Sequence, residues 1–540
     1  MGQFRAGERM SDGSDWAQGY VTDVLYTDNT YRELSPAWLN YVAVLKGCQP
    51  RPLDRPFAYI ELGCGLGRTV THLAAAFPQA QFIGVDFNPA HIDAAQRYAA
   101  SLGLENVRFL ERGFEDLVGE ENARKLDLPE VDFVALHGVY SWISLAARQA
   151  VQRFIYERLK PGGIVYNSYN CLPGWTPEAP LRRLLVELAG PNRGATEGRV
   201  AQALDQLDAF GKFDIGYLNR QPAAKQAMKQ YRERPANYLA HEMFNADWNL
   251  FYSADVADEM AAAKLDFIGA ATLSENHLEL LFADEAAAFI TNQPTLRLRQ
   301  LMQDFLANQR FRRDVFVRGH AHLPAAQMRR HRENQVVLAT KPLAKLEPKI
   351  KVPRGSATLD PKVLMELDGV LKKGSATVRE LTQAVAKGRP GDDLLRITSM
   401  LLAANVLMPA AAVFRIGKTF DGGCKLRVIG KTNQRLLSLA ASREHAEAKT
   451  RPLVSPVLGG IMPISLVSAV LLQSFGEGGG LERAVARSVT VLDSYGLALR
   501  KGDQTIAEPA AKRDYLMELG KAFVAQELPV LMTGGVAEAV

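Results

Sequence analysis

The sequence predicts an α/β fold built on a doubly wound, largely parallel sheet, and three observations carry that expectation. The first is Tyr59-Ile60-Glu61-Leu62-Gly63-Cys64-Gly65-Leu66-Gly67-Arg68, an apolar run that passes into three glycines at alternate positions and then into a helical pattern from Thr69 to Phe77. The second is Gln81-Phe82-Ile83-Gly84-Val85-Asp86, another apolar run, which ends in a carboxylate 19 residues beyond Gly67. The third is rhythm: strand-like and helix-like stretches keep alternating as far as Asn170, as βαβ units require.

Each element has a local reason. Glycines without Cβ let the chain turn sharply and approach a ligand closely, and the helix that follows offers free N–H groups to a polar or anionic guest. The dinucleotide fingerprint G-x-G-x-x-G has its third glycine one residue later, so the loop is read as a nucleotide-cofactor loop of another kind, with Asp86 where a ribose diol is held. Asn88 to Leu102 is a helix capped by Asn88, with Pro89 in its first turn and Gly103 at its end. Val107 to Glu111 and the run from Val131 are the third and fourth strands, Pro161-Gly162-Gly163 a turn, and Ile164 to Asn170 the fifth strand. Ligands of an open sheet lie beyond the carboxyl ends of its strands, which places His137, Tyr140 and Trp142, and then Tyr169 and Asn170, at the reacting rim. Upstream, Trp16, Tyr20, Tyr26, Tyr31, Trp38 and Tyr41 form an aromatic arm, helical only at Pro36 to Leu45, that suits a pocket lid or plain packing.

Glu61-Leu-Gly-Cys-Gly-Leu-Gly67 followed by Asp86 resembles the first two motifs of class I S-adenosylmethionine (SAM) methyltransferases. A narrower resemblance rests on Leu136-His-Gly-Val-Tyr-Ser-Trp-Ile, Leu159-Lys-Pro-Gly-Gly, Ser168-Tyr-Asn-Cys-Leu-Pro-Gly-Trp175, Tyr238-Leu-Ala-His-Glu-Met-Phe-Asn and Phe311-Arg-Arg-Asp-Val-Phe-Val-Arg-Gly319. These look like a bacterial family in which a Rossmann-like class I methyltransferase fold precedes a methyltransferase regulatory domain, and which includes protein-lysine methyltransferases. The similarity spans most of residues 20 to 340; at Val24-Leu25-Tyr26 the sequence departs from the family's pattern of two tyrosines around Val-Pro. The resemblance implies SAM as cofactor, held by Glu61, Gly63, Gly65, Gly67, Asp86, Phe87 and His137, with Phe114 and Glu115 enclosing the adenine. It implies a protein lysine as acceptor, in a channel built by Tyr26, Tyr140, Trp142 and Tyr169 with Asn170 orienting the amine, and requires no metal. A small-molecule acceptor, and a non-catalytic scaffold, are the alternatives.

The chain's 540 residues, 47% hydrophobic and 23% charged, describe an ordinary globular protein of about three domains. A net charge of +5 over 64 basic and 59 acidic residues argues for neither a nucleic-acid nor a membrane partner. No Asn-Pro-Pro-Tyr-type sequence follows the fourth strand, which also speaks against nucleic acid. Cys48, Cys64, Cys171 and Cys424 lie far apart with no C-x-x-C, fitting a reducing, cytoplasmic setting. Met1 to Asp12 lacks the apolar stretch of an export signal, and charge-poor Pro452 to Gly476 reads as a buried helix with loops rather than a membrane span.

The expected division is an aromatic arm (1–45), a SAM-binding domain (46–180), a helical regulatory domain (181–340), a lysine- and proline-rich linker (341–355), a winged-helix-like unit (356–416) and a C-terminal unit (417–540). A homodimer is left open. Arg310, Arg312, Arg313, Arg318, Arg329, Arg330 and Arg332 form a basic cluster, read first as a solvated face with carboxylate partners and second as a docking patch.

Overall fold

The computed structural model describes residues 19–23, 29–190, 194–319, 323–385, 391–440, 450–494, 496, 499–502 and 504–540. Its centre is a sheet whose strands and helices follow the expected alternation. In chain order these are α1 (Pro36–Leu45), β1 (Ala58–Leu62), α2 (Arg68–Ala76), β2 (Gln81–Asp86), α3 (Pro89–Leu102), β3 (Val107–Glu111), α4 (Glu120–Lys125), β4 (Val131–Leu136), α5 (Leu145–Arg158) and β5 (Leu159–Asn170). Next come α6 (Ala179–Ala189), α7 (Thr196–Phe210), α8 (Gly216–Arg220), α9 (Pro222–Tyr231), α10 (Ala236–Met243), α11 (Ser253–Ala261), β6 (Leu265–Ala270) and, after further short helices, β7 (Phe311–Arg318).

The sheet has seven strands in the order β3-β2-β1-β4-β5-β7-β6. β1 to β5 run parallel, with Ile60 beside Ile83 on one side and Val134 on the other, while β7 is antiparallel to both β5 and β6. Side chains alternate across it. Tyr59, Phe82, Phe133 and Tyr166 enter one apolar layer; Ile60, Val134, Val165 and Tyr169 enter the opposite layer with Phe154 of α5 and Met260 of α11. Each such burial contributes about 1.5–3 kcal/mol, so the period of two fixes the strand register.

Helix ends follow local chemistry. Asn88 Oδ1 accepts from Ala90 N at 2.9 Å to start α3, and Gly103, at φ 66°, ends it. Ser144 caps α5 in the same way, its hydroxyl accepting from Ala147 N.

Two features depart from the sequence reading. Residues 181–340 are not wholly helical: β6 and β7 complete the central sheet, so the segment expected to follow the catalytic fold is woven into it. The signal was hidden because β7 carries Arg312 and Asp314, charges that hide an apolar strand pattern; here each is satisfied by the other within the sheet. The Pro161–Gly163 turn lies inside β5, where Gly162 takes φ 72° and the register with β4 slips between Val131 and Phe133. The arginines of the basic cluster have the carboxylate partners of the first reading, Arg310 with Glu178, Arg312 with Asp304 and Asp314, Arg313 with Glu33 and Arg329 with Glu333, although Arg312 is buried rather than solvated.

Farther on, Val336–Ala339 lies between Ala376–Thr377 and Leu407–Ala410 in a three-stranded antiparallel sheet accompanied by helices Pro361–Leu371, Val378–Val385 and Gly391–Ala403. The charge-poor stretch forms the strand pair Arg451–Ser455 and Gly460–Ile464, then the buried helix Leu466–Gly476. Among the described residues no helix is long and apolar enough to cross a membrane.

Candidate functional site

The glycine loop takes the conformation its sequence requires. Gly63, Gly65 and Gly67 have φ of 72°, 53° and 67°, a region costly to any residue with a Cβ. They differ in what surrounds them. A Cβ on Gly63 would lie 2.4 Å from Val139 Cγ2, and one on Gly67 would lie 2.6 Å from Phe109 Cε1 and 2.7 Å from Ala95 Cβ. A Cβ on Gly65 would meet nothing within 4 Å among the described residues. Thus Gly63 and Gly67 permit close packing, while Gly65 faces open space at the start of α2.

That space is a cavity beyond the carboxyl ends of β1, β2 and β4. Its lining includes Gly63, Gly65, Asp86, Phe87, Phe114, Glu115, His137 and Trp142, together with Tyr20, His91, Val139 and Asp247. Asp86 organises the cofactor side. Its Oδ2 accepts from Gly65 N at 2.9 Å and its Oδ1 from Asn88 N at 2.9 Å, with His91 Nδ1 3.3 Å away. A carboxylate has about four lone-pair positions, so acceptor capacity remains for a diol. Glu61, directly before the loop, is buried, and desolvation followed by the field of Asp86 pushes its carboxyl up to about 8 against the hydrogen bond from the Val70 backbone. Its Oε2 has no hydrogen-bond partner among the described residues.

His137 Nδ1 lies 2.8 Å from Tyr166 Oη, and its ring lies against Tyr31 with centroids 3.6 Å apart. Burial, and then the positive field of Arg313, lower its pKa to about 3, so the imidazole is neutral at physiological pH. Trp142 is 8% exposed and its indole Nε1–H has no acceptor among the described residues.

The remaining expected residues sit elsewhere. Glu61 and Gly67 support the loop from behind and do not line the cavity. Tyr140 is fully buried, donating to Glu259 and accepting from Gln152 Nε2 at 3.0 Å. Tyr169 donates to Asp314 Oδ2 at 2.5 Å. Neither tyrosine lines the cavity, because β5 alternation turns Tyr169 into the layer beneath α11 and the short turn Tyr140–Trp142 sends its first residue the same way. Asn170 stays at the rim, where its Nδ2 donates to Glu242 Oε1 at 3.2 Å. Tyr26 lies outside the described residues.

Sequence reasoning missed Asp247, Glu242 and His241, and gave Tyr20 no more weight than its neighbours. Gly19 O accepts from Ala246 N at 2.9 Å and Ser141 O from Asn249 N at 2.7 Å, which brings residues 19–20 and 246–249 to the end of β4. No local motif marks such a meeting. A wider cleft elsewhere, lined by Arg68, His72 and Tyr98 on one side and Met462, Ile464 and Leu531 on the other, holds none of the strand-end groups. The chemistry converges on the narrower cavity.

The family model described as a methyltransferase domain matches residues 60–165, and that described as a predicted methyltransferase regulatory domain matches residues 235–318. The uncharacterized protein sll1526 of Synechocystis sp. is 32% identical over 526 residues, covering 97% of this chain and all of that protein. A malonyl-[acyl-carrier protein] O-methyltransferase of Halalkalibacterium halodurans is 27% identical over 115 residues, 21% of this chain and 40% of that one. Among solved structures, PKMT2 from Rickettsia typhi in complex with AdoHcy superposes with a TM-score of 0.70 over 95% of this chain and 99% of that one, at 16% identity, and shares the fold. A glycine cradle open at Gly65, a carboxylate at the end of β2 and a cavity that Phe114 and Glu115 also line fit S-adenosylmethionine. The chain belongs to the class I SAM-dependent methyltransferases that carry a methyltransferase regulatory domain.

Proposed function

We propose that the enzyme N-methylates an amine, namely the lysine side chain of a protein. The observation that carries this reading is that Trp142, Tyr20 and Asp247 line the same cavity as the glycine loop, beyond the end of β4. Aromatic faces and a carboxylate receive an alkylammonium and disfavour a carboxylate acceptor. The family resemblance to protein-lysine methyltransferases supports the same choice.

Bound SAM supplies a methyl group already activated on a sulfonium. The protein therefore contributes alignment, worth up to about 7–11 kcal/mol in favourable systems. Asp86, Gly65, Phe87, Phe114 and Glu115 would hold the cofactor, and Gly63 and Gly67 would give its loop its shape. Neutral His137, braced between Tyr31 and Tyr166, would contact the cofactor side without repelling a sulfonium. Trp142 would flank the acceptor. A lysine with a reference pKa near about 10.4 is pushed toward its neutral form by desolvation among such rings.

The test is incubation with methyl-labelled SAM and a panel of lysine-rich proteins, followed by acid hydrolysis, beside Asp86→Ala. Label recovered as ε-N-methyllysine, and lost in the variant, is expected. Label only in small molecules, or as base-labile methyl esters, would overturn the reading.

A further inference from the structure

The segment matched as a regulatory domain reaches the catalytic rim through α10. Asn170, the last residue of β5, donates from Nδ2 to Glu242 Oε1 at 3.2 Å, and its own backbone N donates to Ser141 Oγ at 2.8 Å. Tyr20 links the same place to the cofactor cavity, its ring centroid 5.7 Å from both Phe87 and His241. Val21 N donates to Asn245 Oδ1 at 2.9 Å, and Trp248 Nε1 to the Glu242 carbonyl at 3.1 Å, so arm, α10 and rim are stitched together.

Within this seam Glu242 stands out. It is half-buried, yet among the described residues no cation comes within ion-pair distance of it. The cations that influence it are engaged otherwise: Arg310 pairs with Glu178 and lies 3.8 Å from the Trp175 ring centre, and Arg234 lies over Tyr238. Burial pushes its carboxyl above the ordinary glutamate range. A half-buried carboxylate without a counter-ion is costly to keep unless a partner arrives. Trp142 Nε1 on the cavity wall is a second polar group without a partner among the described residues.

We propose that Glu242, contributed by the regulatory segment, is a second acceptor-binding carboxylate in addition to Asp247, and that it receives the ammonium of an alkylamine entering past Tyr20 and Trp142. The proposal rests on the amine-methylating reading above and names a further group that selects the amine. The ammonium hydrogen-bonds to Glu242 and loses one proton to solvent. The freed nitrogen lone pair forms the N–C bond while the methyl C–S bond breaks, its electron pair remaining on sulfur; the resulting methylammonium then sheds its proton to solvent. Asn170 is a positioning residue, fixing the carboxylate rotamer.

The test compares the S-adenosylhomocysteine complexes of wild type, Glu242→Gln and Glu187→Gln by calorimetric titration with decalysine. Glu187 is an exposed control on α6, paired with Arg183. The amide in Glu242→Gln keeps an oxygen for Asn170, so folding and S-adenosylhomocysteine affinity should be unchanged while decalysine binds about tenfold or more weakly. In turnover KM for the lysine substrate should rise with KM for SAM unmoved, and Glu242→Asp should recover part of the loss. If wild type methylates lysine and Glu242→Gln matches it in decalysine affinity and KM, the Glu242 assignment falls while the function stands. If wild type neither binds decalysine nor methylates lysine, both fall.

Discussion

The two ends of the cavity were built from the sequence in different ways. At the cofactor end, groups that touch the space come from consecutive turns of chain: Gly63, Gly65, Asp86 and Phe87 follow directly from β1 and β2. At the proposed acceptor end, the lining comes from pieces far apart in sequence, Tyr20, Trp142 and Asp247, while Tyr140 and Tyr169 turn away into the apolar layer. A strand end fixes where the backbone goes. It does not fix which of two faces a side chain takes, and that choice decided the tyrosines.

The sharpest way to break the comparison is at the loop. Gly63→Val places a β-branched residue at φ 72° and against Val139, so SAM binding should fall by about a hundredfold or more, with lower stability. Gly65→Ala meets no protein atom and carries only the φ strain of about 1–2 kcal/mol, but its methyl projects into the cofactor space. Calorimetry should show SAM weakened about tenfold, with stability lowered by no more than that strain of about 1–2 kcal/mol. Equal loss of stability in both variants would mean that Gly65 packs against protein rather than ligand.

This contrast also explains what could be read in advance. The succession of β1 to β5, the caps Asn88 and Gly103, and the meeting of Asp86 and His137 follow from local chemistry, namely apolar runs, turn residues and the rule that ligands sit at strand ends, whereas Phe114 was named only through the family resemblance. β7 was not legible, because Arg312 and Asp314 look like surface charges until each is seen paired inside the sheet. Likewise Glu242 lies in the ordinary helical text of Ala236–Met243, and only the meeting of α10 with Asn170 gives it a place at the rim.

Glu61 tests whether the cofactor end is strained before any ligand binds. Its folded-state pKa of about 8 exceeds the ordinary 4.5, so the native state holds the proton more tightly than the unfolded chain. Stability therefore falls as pH rises from about 4.5 to about 8, by up to about 1.4 kcal/mol per unit, and levels off above. Glu61→Gln removes that slope. Urea midpoints at pH 5, 6.5 and 8.5 should show the variant gaining on wild type across the series, and parallel curves would mean that the carboxyl is already ionised at pH 5.

At the other end, substitutions of the tyrosines should touch stability alone. Tyr169→Phe deprives buried Asp314 of one donor but leaves Arg312 Nε at 3.0 and 3.1 Å, so a loss of about 1–3 kcal/mol is expected with SAM affinity and kcat within about twofold. Tyr140→Phe should cost less, about 0.5–1.5 kcal/mol, because Glu259 keeps Arg148 Nε at 3.3 Å and Gln152 at 3.4 Å and is partly solvated. Denaturant midpoints measured beside single-turnover methylation separate the two effects. A Tyr140→Phe enzyme with an unmoved midpoint and a kcat reduced tenfold would put that hydroxyl on the acceptor after all, and the difference between the two ends of the cavity would disappear.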